Sequence, residues 1–301
     1  MRTLPIALAL GLALTACDRA PHPEDEPDRC AREVPGAPWL AFASTRTGDY
    51  EIWRMRADGS CAAQVTRAAG ADLFPTWSGT TLVFTSHRDG VQRLWAHDLE
   101  TGEEVPLATG ELAATSPAFS PDGARLAFEG RAPGATAANV YVLPAAGGSP
   151  VALEEVPAGG AGPAWAPDGR TVYFVSQRGG AYDVWAVPAE GGAAVPITSR
   201  SRIVGKPAVA ADGGSLLYAR TVTGASTTEL VRHDLSTGAA TVLSRQDDSE
   251  PAVSEDGARV ALRSFRAGRA DLVVQALDGS GASFLTSDVA SDGAPAFARW
   301  P

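Results

Sequence analysis

The sequence predicts an all-β protein: a six-bladed β-propeller of four-stranded blades, closed by its own C-terminal strand. Three observations carry the prediction. A short phrase occurs six times, as Pro75-Thr76-Trp77-Ser78, Pro117-Ala118-Phe119-Ser120, Pro163-Ala164-Trp165-Ala166, Pro207-Ala208-Val209-Ala210, Pro251-Ala252-Val253-Ser254 and Pro295-Ala296-Phe297-Ala298. The prolines are 42, 46, 44, 44 and 44 residues apart, and a fixed period of this size means one supersecondary unit stacked on itself. Within each period, apolar runs alternate with glycine-containing turns, and no segment sustains a helical period.

The third period shows the four runs: Ser116–Ser120, Ala124–Glu129, Ala138–Leu143 and Pro150–Leu153. Asp122-Gly123 joins the first two, with Asp168-Gly169, Asp212-Gly213 and Asp256-Gly257 in later periods. Asp-Gly between apolar runs predicts a hairpin with a primed turn, because glycine supplies a positive φ without strain. The third run pairs an aliphatic residue with an aromatic or branched one: Ile52-Trp53, Leu94-Trp95, Val140-Tyr141, Val184-Trp185, Leu230-Val231 and Leu272-Val273. Both faces of that strand are then apolar, as expected between two neighbouring sheets. The phrase proline cannot donate to a ladder and belongs on an edge strand or strand start, so the phrase is assigned to the innermost strand. The small Ala or Thr after it suits the crowding near an axis.

Counting predicts the closure. Three strands, at Trp39–Ser44, Tyr50–Arg56 and Ala62–Thr66, precede the first phrase and lack an inner strand. The last phrase, Pro295–Arg299, is an inner strand with nothing after it. Joining them makes six blades, with the propeller spanning residues 39–301, and removes the open edges that invite aggregation.

The residues before the propeller read differently. Arg2, an apolar run from Leu4 to Leu14 and the small residues up to Cys17 form an export signal over residues 1–16; the run is shorter than the ~20 apolar residues that span a bilayer. Leu14-Thr15-Ala16-Cys17 resembles the bacterial lipobox, which implies acylation of Cys17 and a stable anchor through several chains. An ordinary signal with a chance cysteine is the alternative. Asp18 follows, which in enterobacterial lipoproteins tends to hold the protein at the inner membrane. Prolines and acidic residues dominate residues 18–38, so 17–38 is expected to be an extended tether. Cys30 and Cys61 are candidates for a disulfide, permitted by export; it would contribute on the order of 3 kcal/mol. Two free thiols are the alternative.

The phrase Pro-Ala-Phe-Ser-Pro-Asp-Gly-Ala-Arg-Leu-Ala-Phe at 117–128 resembles the TolB-type, WD-like propeller repeat. That repeat continues with Ser-x-Arg and an "Asp-Ile-Tyr" segment. The counterparts are Ser44-Thr45-Arg46, Ser86-His87-Arg88, Ser176-Gln177-Arg178 and Ser264-Phe265-Arg266, then Glu51-Ile52-Trp53 and Asp183-Val184-Trp185. Blades three and five depart, with Gly130-Arg131 and Arg220-Thr221. The resemblance covers nearly all of 39–301 and implies fold, not function, since such propellers occur in binding proteins and beside hydrolase domains. TolB itself carries a further N-terminal α/β domain.

The chain has no Gly-x-Ser-x-Gly elbow, His-Glu-x-x-His or P-loop; Gly205-Lys206 runs into Pro207. Its histidines are His22, His87, His97 and His233; the last two fall on third strands and should not converge on a metal. A net charge of −10 argues against nucleic acid and anionic membrane surfaces as partners. Arg46, Arg88, Arg178 and Arg266 lie between second and third strands, where Glu51, Asp183 and Asp271 offer ion pairs within each blade. Alternatively they form, with Asp72, Lys206, Asp248, Glu250 and Asp292 from the loops before the inner strands, a charged face for a peptide or anion. The reading that follows is a non-enzymatic, lipid-anchored, monomeric envelope protein, without cofactor, that binds a protein or peptide. The alternatives are a hydrolase or metal-dependent glycan lyase at the channel mouth, and a glycan-recognising sensor or scaffold.

Overall fold

The computed structural model describes residues 30, 38–154 and 159–299. Signal segment 1–16, lipobox Cys17 and, apart from Cys30 and Pro38, the 17–38 tether lie outside the described residues. Cys30 and Cys61 are both disulfide-bonded.

The described chain forms six antiparallel four-stranded sheets arranged as a ring of blades. The inner strands are Asp292–Phe297 for blade one, then Asp72–Ser78, Ala113–Phe119, Ala161–Trp165, Ile203–Val209 and Asp248–Val253 for blades two to six. Each begins a few residues before its phrase proline. The first blade takes its inner strand from the chain's far end: Leu40 faces Phe297, Ala41 faces Ala296, Ala43 faces Gly293 and Ser44 faces Asp292. The outermost strands of blades one, three, four and six are only 2 residues long, which leaves little edge to pair with another chain.

The core is divided among the blade interfaces. One apolar cluster lies at each of the six junctions, and the last, with Leu40, Phe42 and Met55 of blade one against Ala261 and Leu272 of blade six, seals the ring. In the third run the aliphatic residue is buried in every blade, while the aromatic one, Trp53, Trp95, Tyr141 or Trp185, is half-buried on the other face.

The Asp-Gly hairpins depart from expectation. In Ser120–Arg125, the Gly123 N–H donates to the Ser120 carbonyl at 2.9 Å and only Gly123 of the turn has a positive φ (69°). A primed turn needs a positive φ at its first central residue, which Pro121 cannot supply. The connection is therefore an ordinary turn closed by a left-handed glycine. Ser120 Oγ donates to Asp122 Oδ1 and accepts from the Arg125 N–H at 2.9 Å, locking it.

Candidate functional site

The sequence-predicted arginines are held inside the blades. Arg88 donates from Nε to Ser86 Oγ at 2.9 Å and pairs with Asp72 at 3.0 Å and with Glu104. Its guanidinium lies 4.2 Å from the Trp95 ring centroid and 5.6 Å from that of Phe84. Blades one and four repeat this clamp, with Arg46 over Trp53 and Phe42 and paired with Asp292, and Arg178 over Trp185 and Phe174 and paired with Glu154. Arg266 of blade six lacks the aromatic pair and bonds to Asp248 through both Nε and Nη2. Asp72, Asp248 and Asp292 are completely buried. Burial pushes the Asp72 carboxyl up, and the Ser86 hydroxyl and Arg88 pull it back.

The acids expected to pair with these arginines do something else. Glu51 and Asp183 accept from Thr66 and Thr198, whose hydroxyls in turn accept the Ile52 and Val184 N–H groups. Asp271 pairs with Arg269 rather than Arg266. Two residue types that looked like partners in sequence therefore serve separate bonds. The arginine ties the second-to-third-strand loop to the start of the inner strand in blades one, two and six, and, in blade four, to Glu154 past the outermost strand of blade three. The acid ties the third strand to the loop beyond the fourth.

The open space lies at the mouth of the central channel. A cavity of about 700 Å³ is lined by residues of every blade, among them Phe74, Ser116, Gly162, Gly205, Glu250 and Ala294. These six share one conformation. Each sits in the bulge of its inner strand with φ between 50° and 72°; Gly162 and Gly205 take this φ freely, but Phe74, Ser116, Glu250 and Ala294 carry a Cβ. Holding a residue with a Cβ there costs of order 1–3 kcal/mol, and a bulge re-aims side chains while disrupting the ladder locally. Glu250 Oε2 accepts the Ala294 N–H at 2.6 Å, linking the bulges of blades six and one. Tyr182, Val175, Ile203 and Val204 supply an apolar wall, and Glu129, Arg202 and Lys206 the charges. Burial pushes Glu129 above the usual carboxylate range.

Below the mouth the channel narrows to about 100 Å³ between the phrase residues Thr76, Ala118, Ala164, Ala208, Ala252 and Ala296. Their small side chains are what the axis can hold, as the sequence implied.

Of the residues expected to form a charged face, Lys206 and Glu250 reach the cavity. The four arginines, Asp72 and Asp248 do not line it. The sequence reading passed over Phe74, Ser116, Glu129 and Tyr182; the usable signal for the first two was their place directly before a phrase proline. The histidines stay apart. His87 meets the Ala71 carbonyl, His97 meets Glu104 at 3.1 Å and His233 packs on Tyr218. Among the described residues no group of three or more His, Cys, Asp or Glu is placed to hold a metal ion.

The family model of the TolB beta propeller domain matches residues 91–251. The chain belongs to that family. The Tol-Pal system protein TolB from Bordetella pertussis is 29% identical over 149 residues, 48% of this chain and 34% of that protein. The crystal structure of TolB from Acinetobacter baumannii superposes with a TM-score of 0.76 at 21% identity, covering 87% of this chain and 67% of that one. An oligogalacturonate lyase in complex with manganese shares the fold at a TM-score of 0.59 and 16% identity, over 81% of this chain and 73% of that one. The curated relatives are matched over 12% to 36% of their own length, so this chain spans a minor part of them.

Proposed function

We propose that this chain is a non-enzymatic envelope protein, lipid-anchored through Cys17, whose propeller mouth binds a protein or peptide partner. The observation that carries the reading is the mouth itself. All six blades contribute to one concave, largely apolar cavity of about 700 Å³ with a few charged groups, within the size range and character of ligand sites. Strained bulges at its rim point the same way, since strain of this kind concentrates where a side chain must be presented. Family membership supports an envelope location, TolB being named as part of the Tol-Pal system. The likeness to the lyase is one of fold.

The test is site-directed photocrosslinking in intact cells. A photoreactive residue replacing Tyr182, 51% exposed at the mouth, is expected to capture a partner that the same residue at Val151, 65% exposed on an outer strand, does not. Equal capture at both positions, or none at Tyr182, overturns the reading. Replacing Cys17 with serine is expected to move the protein from the membrane to the soluble fraction.

A further inference from the structure

Lys206 is the only lysine in the chain; the other 24 of its 25 Lys and Arg residues are arginine. Its position is as singular as its identity. It lines both the mouth cavity and the narrow channel beneath, and so sits at the neck between them.

The backbone makes a special case for it. In five blades the inner-strand bulge sets two residues against one on the neighbouring strand, as at Leu73/Thr76 against Thr85/Val83. In blade five the bulge is one residue longer: Val204 faces Ala219 and Ala208 faces Leu217. Gly205 takes the positive φ, and Lys206 is the added residue before Pro207. The neighbouring blade leaves room for it, since a Cβ on Gly162 would come within 2.8 Å of the Lys206 Cβ.

The ammonium has no ion pair or hydrogen bond among the described residues. Four charged groups face it or share its cavity. Glu250 is committed elsewhere, to the Ala294 N–H at 2.6 Å and to Arg263 at 3.7 Å. Glu129, whose carboxyl burial pushes up, accepts the Gly162 N–H and faces Arg131. Arg202 at the rim and Arg299 in the channel are cations. Burial pushes the Lys206 amine below the usual lysine range, with Glu250 pulling it back and Arg299 pushing it further down. Lys206 is half-buried, and a cation drawn partly out of water with no hydrogen-bond partner among the described residues gains from a ligand group that pairs with it. A compact ammonium suits a confined point contact where a planar guanidinium would need a wider fork.

We propose that Lys206 receives the free C-terminal carboxylate of an apolar peptide segment that enters the mouth end-on. The proposal rests on the mouth reading above and specifies its ligand. Two features favour a chain end over an internal segment or a small carboxylate. The channel beyond Lys206, about 100 Å³ and walled by four prolines, small residues and the larger Phe119, Trp165, Phe297 and Arg299, is too confined to admit a polypeptide past the neck. The cavity above, about 700 Å³ with Tyr182 and Phe74 in its lining, has the volume to hold the residues preceding the carboxylate.

The probes are N-acetyl-Val-Leu-Phe as free acid, the same tripeptide as C-terminal amide, and octanoate, each titrated calorimetrically into the full chain. The free acid is expected to bind at least tenfold more tightly than the amide. K206M should abolish that difference and K206R should keep part of it. Because the chain has one lysine, acylation by an amine-selective reagent, read at the peptide carrying Lys206 and so apart from any N-terminal amine, reports on this site, and the free acid should slow acylation of Lys206 at least tenfold while the amide does not. This second readout uses the unaltered protein and stands even where K206M fails to fold. Equal binding of acid and amide, or unprotected acylation, overturns the proposal; octanoate binding and protecting as well as the peptide acid overturns the peptide end as occupant. If acid and amide bind alike while crosslinking at Tyr182 still captures a partner, this proposal falls and the mouth reading stands. If Tyr182 captures nothing and no probe binds, both fall.

Discussion

The Arg88 guanidinium lies 4.2 Å from the centre of the Trp95 ring and donates to the Asp72 carboxylate at 3.0 Å. One side chain thereby fastens the second-to-third-strand loop to the start of the inner strand, where the mouth begins two residues later at Phe74.

Removing that fastening leaves a charge in the interior. Asp72 is fully buried, and breaking a buried pair by deleting one partner costs about 3–5 kcal/mol. R88M is therefore expected to lower the thermal midpoint in a circular-dichroism melt, and R88M with D72N to recover part of the loss. A double variant no more stable than R88M would show that the aromatic stacking, not the ion pair, does the fastening.

Closure places the whole ring at the mercy of one strand. Asp292–Phe297 supplies the inner strand of blade one and part of the interface to blade six. Deleting residues 292–301 is expected to abolish the cooperative unfolding transition and expose the chain to limited proteolysis. A deleted chain that melts at the parent temperature would mean that the blade holds without its fourth strand.

Blade three lacks the Ser-x-Arg clamp and fills the space with an aromatic stack, Phe128 on Tyr141 at 5.6 Å. A Cβ on Gly130 would meet the Tyr141 ring at 2.6 Å. G130A is expected to cost about 1–3 kcal/mol through overpacking, measured by denaturant unfolding. Adding Y141V should relieve the clash; if it does not, the ring is not the obstacle.

The turn after the third strand of blade five carries a pH signature. Asp234 is held at about 2, below the ordinary 3.8, by the Ser236 hydroxyl, then the Thr237 N–H and hydroxyl. A carboxyl lowered in the folded chain contributes stability above 3.8 that is lost as pH falls toward about 2. Carboxyl-carbon NMR should place its midpoint near 2, and S236A should raise it. An unchanged midpoint in S236A would remove the hydroxyl as the main cause.

The repeat made the blade count, the strand order within a blade and the closing strand legible from residues alone. A period of about 44 residues leaves one way to stack four strands, and the unpaired inner strand at one end has one unpaired blade at the other. The turn type was misread at Pro121, because the Asp-Gly signal was weighed without the proline's fixed φ. The partners of Arg46, Arg88, Arg178 and Arg266 were also misassigned: Glu51 and Asp183 are near in sequence, but the chain returns Asp292, Asp72, Glu154 and Asp248 to the same place. Lys206 was read only as one charge among several on the loops, because its position depends on a bulge one residue longer than the other five.

Sequence alone determined the architecture, because local periodicity and turn chemistry repeat six times and agree with each other. Tertiary structure decided which charged groups are spent on holding blades together and which face the channel. That choice is made by the bulges and by contacts between blades, which join residues far apart along the chain.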